Sequence, residues 1–322
     1  MVDDHGDIPD AAFMRKSLMG SHIEASYAGA LSFQRRRYTK DLTGVDVAVT
    51  GIPYDLAVTN RPGTRLGPQA IRQATAQHAW GPVWPWGFDP FDTLAVTDYG
   101  DCLFDHGRPH EIPAAIEAHI ARIIEGGAST LVLGGDHFIT YPILKAYAAK
   151  QGPIGLVQFD AHRDVEPEEG DRIDHGTMFN IAIREGIIDP ARSVQIGIRT
   201  CYKDEESYGM AVIHADKVHE TPASEIAEIV RDVTGGKPSY LTFDIDFLDP
   251  AFAPGTGTPV PGGMSSFQAL SILRALKGVE FVGMDVVEVS PPFDHAEMTA
   301  NAAAMIATEM LCLAAWNKGA RG

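Results

Sequence analysis

The chain has 322 residues, of which 45% are hydrophobic and 21% charged. That is enough apolar material for one large or two smaller folded units, and too much for a disordered chain. Lys and Arg total 26 against 43 Asp and Glu, a formal net charge of −17, which repels phosphate backbones and excludes nucleic acid as an expected partner.

The chain begins with Asp3, Asp4, Asp7 and Asp10 ahead of any apolar run, so no secretory signal is expected. Residues 1–40 carry no legible chemistry and read as an N-terminal arm, with 41–322 as a single domain. Short β-branched runs then predict strands at Val45–Ile52, Leu94–Asp98, Thr130–Leu133, Ile154–Asp160, Val194–Ile198, Tyr240–Asp246 and Phe281–Val287. Between them, Pro68–Ala76, Glu111–Gly126, Tyr141–Lys150, Ser224–Val233, Ser265–Leu276 and Ala296–Lys318 read as helices. The last is rich in Ala, Met and Leu, as suits a buried or subunit-facing helix. No run approaches the ~18 consecutive apolar residues of a membrane span. Cys102, Cys201 and Cys312 are too scattered for a disulfide framework or thiolate cluster. A reducing, cytoplasmic setting is therefore expected.

Alternation of strand and helix predicts an α/β fold on a parallel sheet, whose ligands gather at the carboxyl ends of the strands. Four strands run into ionisable groups there. Thr130–Leu133 leads to Gly134-Gly135-Asp136-His137, and Ile154–Phe159 to Asp160-Ala161-His162-Arg163-Asp164. Leu241–Phe243 leads to Asp244-Ile245-Asp246, and Gly283–Val287 to Glu288. If the chain stays extended past Asp160, period two places Asp160, His162 and Asp164 on one side and Arg163 on the other.

Taken singly, an Asp-x-Asp is an ordinary turn or helix cap, and Gly-Gly-Asp-His an ordinary loop. Asp249-Pro250 is a turn on any reading. Taken together at one sheet edge, His137, Asp160, His162, Asp164, Asp244 and Asp246 form an oxygen/nitrogen donor set without sulfur, suited to Mn²⁺. Six ligands suit two metals sharing carboxylates about 3.5–4 Å apart. Two divalent cations offset the four carboxylates, and a bridging hydroxide leaves the cluster near −1, which favours a cationic substrate. Metals also bring the pKa of bound water towards neutrality, giving a nucleophile without Ser or Cys. The other nine histidines, His78 and His219 among them, read as surface or core residues; His175 is the exception.

The segments Gly134–His137, Asp160–Asp164 and Ser239–Gly263 resemble the three signatures of the ureohydrolase family of arginases, agmatinases, guanidinobutyrases and proclavaminate amidinohydrolases. Asp174–Phe179, Val194–Thr200, Gly283–Val289 and the Trp/Pro-rich Trp80–Phe88 bring the resemblance nearest to the bacterial agmatinases. It implies a three-layer α/β/α fold with a central eight-stranded parallel sheet, two Mn²⁺ per subunit, and a homo-trimer or homo-hexamer. One manganese would be held by His137, Asp160, Asp164 and Asp244, the other by Asp160, His162, Asp244 and Asp246. His175 matches the family's proton-transfer histidine, and Glu288 the carboxylate that receives the guanidinium. The bridging hydroxide would attack the guanidinium carbon, Asp164 would relay a proton to the leaving amine, and His175 would exchange protons with solvent. The products from agmatine would be putrescine and urea.

The substrate is read from the loops. The stretch Arg163–Asp171, with Glu166, Glu168, Glu169 and Asp171, is acidic, and such a rim favours the ammonium of agmatine over the carboxylate of guanidinobutyrate or guanidinopropionate. Arg163 stands where the agmatinase pattern has Thr or Ser. It could fork onto a substrate carboxylate, but alternation turns it away from the metals, towards a structural ion pair; Arg172 is equally open. Arg61–Pro68 reads as turn and helix-start chemistry rather than ligand contact. Two other classes stand against the enzyme reading. A metallophosphoesterase would place basic residues beside the metals, and an inactive scaffold would have lost a ligand.

Overall fold

The computed structural model describes residues 10–167, 170, 172–201 and 208–321. Eight strands form one parallel sheet: β1 (Val47–Ile52), β2 (Val96–Asp101), β3 (Ser129–Gly134), β4 (Gly155–Phe159), β5 (Val194–Ile198), β6 (Ala211–His214), β7 (Ser239–Asp244) and β8 (Phe281–Val287). Their order across the sheet is β2-β1-β3-β8-β7-β4-β5-β6. β1, β4, β5 and β7 are buried along their whole length, as a parallel sheet covered on both faces requires.

The period of two divides the core. Val47, Val49, Leu131, Leu133, Val157, Phe159, Leu241, Phe243, Met284 and Val286 face one side, against helices Gly67–Thr75, Ala223–Thr234, Ser266–Ala275 and Met298–Arg321. Val132, Leu156, Tyr240 and Val287 face the other, against Ile112–Glu125, Thr140–Gln151 and Met178–Arg184. The result is a three-layer α/β/α sandwich. Met298–Gly319 is long and apolar enough to cross a membrane by length and composition, but 72% of that window is buried inside the fold, where Ala303, Ala307, Met310 and Leu311 pack in the core. It starts two residues later than the composition suggests because Ala296 and Glu297 take left-handed backbone conformations, φ 51° and 58°.

Three departures from the sequence pattern have local causes. β6 was not visible because it is a four-residue edge strand with one buried position. β2 runs on to Asp101, past the expected end at Asp98, because Arg72 neutralises both acids: Nε lies 2.8 Å from Asp98 Oδ2 and Nη1 2.7 Å from Asp101 Oδ1. Helices Met178–Arg184 and Ala215–Glu220 are two turns or less, too short for a helical period to register. The acids Glu168, Glu169 and Asp171 of the expected rim lie outside the described residues, as do residues 1–9. From the remainder of the arm, Phe33 is buried in the core and its N–H donates to Asp98 Oδ2 at 2.8 Å.

Candidate metal centre and active site

The four strands that end in ionisable groups are neighbours, in the order β3-β8-β7-β4 at the centre of the sheet. The chain direction changes there, between strands that run outward to β2 and strands that run outward to β6, and such a switch point opens a crevice at the carboxyl edge. His137 opens a short turn after β3, Asp160 follows β4, Asp244 ends β7 with Asp246 in the turn beyond it, and Glu288 follows β8.

The structure brings all six candidate ligands together. His137 Nδ1 lies 3.1 Å from Asp160 Oδ2, 3.0 Å from Asp164 Oδ2 and 3.2 Å from Asp244 Oδ2. His162 Nδ1 lies 3.0 Å from Asp246 Oδ2 and 3.5 Å from Asp160 Oδ1. Two groups have ligand atoms close enough to hold an ion, His137 with Asp160 and Asp164, and Asp160 with His162 and Asp246; Asp160 belongs to both.

The strand does not stay extended past Asp160, so alternation is not what gathers these side chains. β4 ends at Phe159; the Asp160 carboxylate accepts the His162 N–H at 2.6 Å, closing an Asx turn. Asp164 lies at φ 56°, a region uncommon for non-glycine residues. Asp244 likewise accepts the Asp246 N–H at 2.8 Å through Oδ1. The turn-cap reading of Asp-x-Asp and the ligand reading therefore hold at once: one oxygen secures the backbone while the other faces His137.

The donor chemistry fits metal cations. His137 Nδ1 is buried with no hydrogen-bond partner, while Nε2 lies 2.8 Å from Thr242 Oγ1, whose hydroxyl donates to Asp285 Oδ1 at 2.6 Å. That relay fixes the tautomer with the proton on Nε2 and leaves the Nδ1 lone pair facing three carboxylates. By the protein's charges alone the cluster is frustrated. Burial and then the charge of Asp160 push the Asp164 carboxyl up to about 6. Burial, then Asp246 and Asp160, push Asp244 well above the usual range. Burial opposes a proton on His137, yet Asp160, Asp164 and Asp244 outweigh it and raise its affinity for positive charge.

His175 lines the pocket beside the cluster, and Glu288 is buried behind it. Glu288 is 1% exposed, at φ 63°, with its N–H on Gly135 O at 2.9 Å. Oε1 accepts the His137 N–H at 2.8 Å and lies 2.8 Å from His175 Nδ1; Oε2 is buried and unpartnered. The Thr59 N–H donates to His175 Nε2 at 3.1 Å, so Nδ1 carries the proton shared with Glu288. Burial lowers the His175 pKa, but Glu288, and then Asp164, overcome this and raise it to about 10.

Arg163 is buried on the far side, its Nε donating to Gln195 Oε1 at 3.0 Å, while Gln195 Nε2 donates back to Arg163 O at 2.7 Å. Arg172 lies at the pocket wall with Nη2 2.7 Å from Asp174 Oδ2. The Arg61–Pro68 loop is structural: Asp55 accepts the Gly63 N–H at 2.9 Å, and a Cβ on Gly67 would come within 2.7 Å of Gly134 O and Val289 O. Asp249 accepts the N–H groups of Ala251, Gly262 and Gly263 as a turn. Sequence reasoning missed Thr59, Thr242 and Asp285. The last two were findable as polar residues inside otherwise apolar strands; Thr59, on a loop, left no signal.

The chain belongs to the arginase family, whose model matches residues 45–312, and it is a ureohydrolase enzyme. It is similar to the agmatinase of Chromobacterium violaceum, at 53% identity over 306 residues covering 94% of each protein. Among solved structures it is similar to a hypothetical agmatinase from Burkholderia thailandensis, with 54% identity, a TM-score of 0.95, and coverage of 98% of this chain and 99% of that one. Proclavaminate amidino hydrolase from Streptomyces clavuligerus follows at 37% identity and a TM-score of 0.85, covering 91% of this chain and 100% of that one.

Proposed function

We propose that the protein hydrolyses agmatine to putrescine and urea, with two Mn²⁺ held by the six clustered ligands. The observation that carries the reading is Glu288 Oε2, a buried and unpartnered carboxylate oxygen attached to a site rich in carboxylates. It matches a cation that donates hydrogen bonds, as a guanidinium does. Manganese bound by His137, Asp160, Asp164 and Asp244, and by Asp160, His162, Asp244 and Asp246, would supply Lewis acidity and a hydroxide nucleophile at neutral pH.

The chain's own residues then have distinct tasks. Glu288 receives the guanidinium on Oε2 while His137 and His175 hold its other oxygen still. Asp164, with Oδ2 3.0 Å from His137 Nδ1, relays a proton towards the leaving amine. His175, with its Nδ1 proton on Glu288 and Nε2 turned to Thr59, exchanges protons near the pocket opening. Agmatine is favoured by the names of the relatives and by Arg163, whose burial against Gln195 removes it as a carboxylate receptor. Guanidinobutyrate or guanidinopropionate is the second reading, supported by Arg172, whose side chain is 60% exposed at the pocket wall.

The family resemblance supports a homo-trimer or homo-hexamer, a cytoplasmic setting, and a catalytic domain of 41–322 behind an arm of 1–40. The test is urea release across guanidine compounds by Mn²⁺-loaded protein. Agmatine should lead; preference for 4-guanidinobutyrate or 3-guanidinopropionate overturns the assignment.

A further inference from the structure

A row of polar side chains crosses the centre of the sheet just before the candidate ligands. Gln158 stands two residues before Asp160 on β4, and Thr242 two residues before Asp244 on β7. Strand register sets Gln195, Gln158, Thr242 and Asp285 side by side on β5, β4, β7 and β8. All four are 0% exposed. Thr242 and Asp285 serve His137, as described above. The two glutamines have no part in that chemistry, and burying their amides between apolar strands is costly unless each finds partners.

They find them in one direction only. Arg163 Nε donates to Gln195 Oε1 at 3.0 Å, and Gln195 Nε2 donates to Gln158 Oε1 at 2.6 Å and to Arg163 O at 2.7 Å. Gln158 Nε2 then donates to Asp160 Oδ2 at 2.7 Å and to His162 O at 3.2 Å. A guanidinium only donates and a carboxylate only accepts. With Arg163 at one end and Asp160 at the other, both amides are satisfied in a single orientation. Asp160 Oδ2 is the oxygen that faces His137, whereas Oδ1 accepts the His162 N–H. The same amides hold the carbonyls of His162 and Arg163, the backbone that carries His162 and leads to Asp164.

We propose that Arg163 is a positioning residue for the metal centre: through Gln195 and Gln158 it fixes the Asp160 carboxylate, with one oxygen turned to each ligand group, and the turn that presents His162 and Asp164. The inference rests on the reading of these side chains as manganese ligands. It gives Arg163 a task at the position where the agmatinase pattern has Thr or Ser, whose hydroxyls both donate and accept and so impose no direction on the amides.

The test measures Mn²⁺ affinity by competition with a chelator, beside the electron paramagnetic resonance spectrum of the loaded protein and unfolding of the metal-free protein. Arg163→Met should weaken affinity about tenfold and convert part of the spin-coupled manganese-pair signal into that of isolated ions. Arg163→Lys, which keeps a donor, should recover part of both. Gln158→Met should lose at least as much as Arg163→Met, and the double variant no more than Gln158→Met alone, because the run of donors is already cut. Gln195→Glu keeps an acceptor for Arg163 but sets an oxygen against Gln158 Oε1, which turns that amide over and brings its oxygen onto Asp160. It should weaken manganese binding at least as much, and it decides the matter if Arg163→Met fails to fold. Unchanged affinity in folded Arg163→Met or Gln195→Glu, or additive losses in the double variant, overturn the proposal and leave Arg163 a purely structural role. Wild type that binds no manganese overturns the ligand reading itself, a result distinct because it appears before any substitution is made.

Discussion

Two clusters of carboxylates are set on the same sheet, one along β2 and one at the carboxyl ends of β4 and β7, and they are resolved in opposite ways. At the end of β2, Arg72 reaches Asp98 through Nε and Nη2, at 2.8 and 3.0 Å, and Asp101 through Nη1 at 2.7 Å. Its pKa is raised because the two acids outweigh the cost of burying it. At the ends of β4 and β7, four carboxylates meet two imidazoles, and among the described residues no guanidinium or ammonium pairs with Asp160, Asp164, Asp244 or Asp246. The β2 cluster takes its cation from the chain. The other is built so that the cation comes from solution, and the difference separates a structural ion pair from a catalytic centre although both are built from aspartates.

The largest effect should come from removing a ligand. His162→Ala or Asp246→Ala should lower turnover at least about 10³-fold and reduce bound manganese, as read by elemental analysis beside urea release; full activity in a metal-quantified variant sinks the ligand assignment. Asp98→Asn makes the converse case. It should leave metal content alone but cost about 1.5–3 kcal/mol of stability in denaturant unfolding, since it takes from the buried guanidinium one of its two acids. Asp244→Asn in chelated protein should instead leave stability level or raise it, because it removes like-charge repulsion; a loss matching that of Asp98→Asn would erase the contrast.

Smaller effects sharpen it. Thr242→Val should weaken metal affinity about 10–100-fold by releasing His137 Nε2, measured by competition with a chelator. The pH dependence should also separate the two states. The carboxyl of Asp164 rises on folding from its ordinary 3.8 to about 6. Its contribution to the metal-free protein is therefore full below 3.8 and is lost as pH rises through 6. Between pH 5 and pH 7, metal-free wild type should lose about 1 kcal/mol relative to Asp164→Asn. In the same window metal affinity should rise with pH, because protons and cations compete for one site.

The site was legible to the degree that its chemistry resides in residue type at strand ends. His137, Asp160, Asp244 and Glu288 could be placed because apolar runs stop at them. The way His162 and Asp164 are presented could not. It depends on an Asx turn and a left-handed residue, and alternation predicted similar neighbours for the wrong reason. In the fold, long buried strands and the helices of nine residues or more were visible, whereas β6 was not, because an edge strand with one buried position lacks the apolar signal. Thr59 holds His175 Nε2 through its main-chain N–H at 3.1 Å and its hydroxyl at 2.8 Å, and as a single loop residue at no strand end it forms no pattern in the sequence.

Glu288 keeps only one oxygen without a hydrogen-bond partner, since His137 and His175 engage the other. With a guanidinium bound there as proposed, a two-pronged grip on its planar head would be foreclosed and the head could swivel about a single pivot. Alignment for attack then depends on the opposite end of the molecule, so a tailless amidine should dock and yet react slowly.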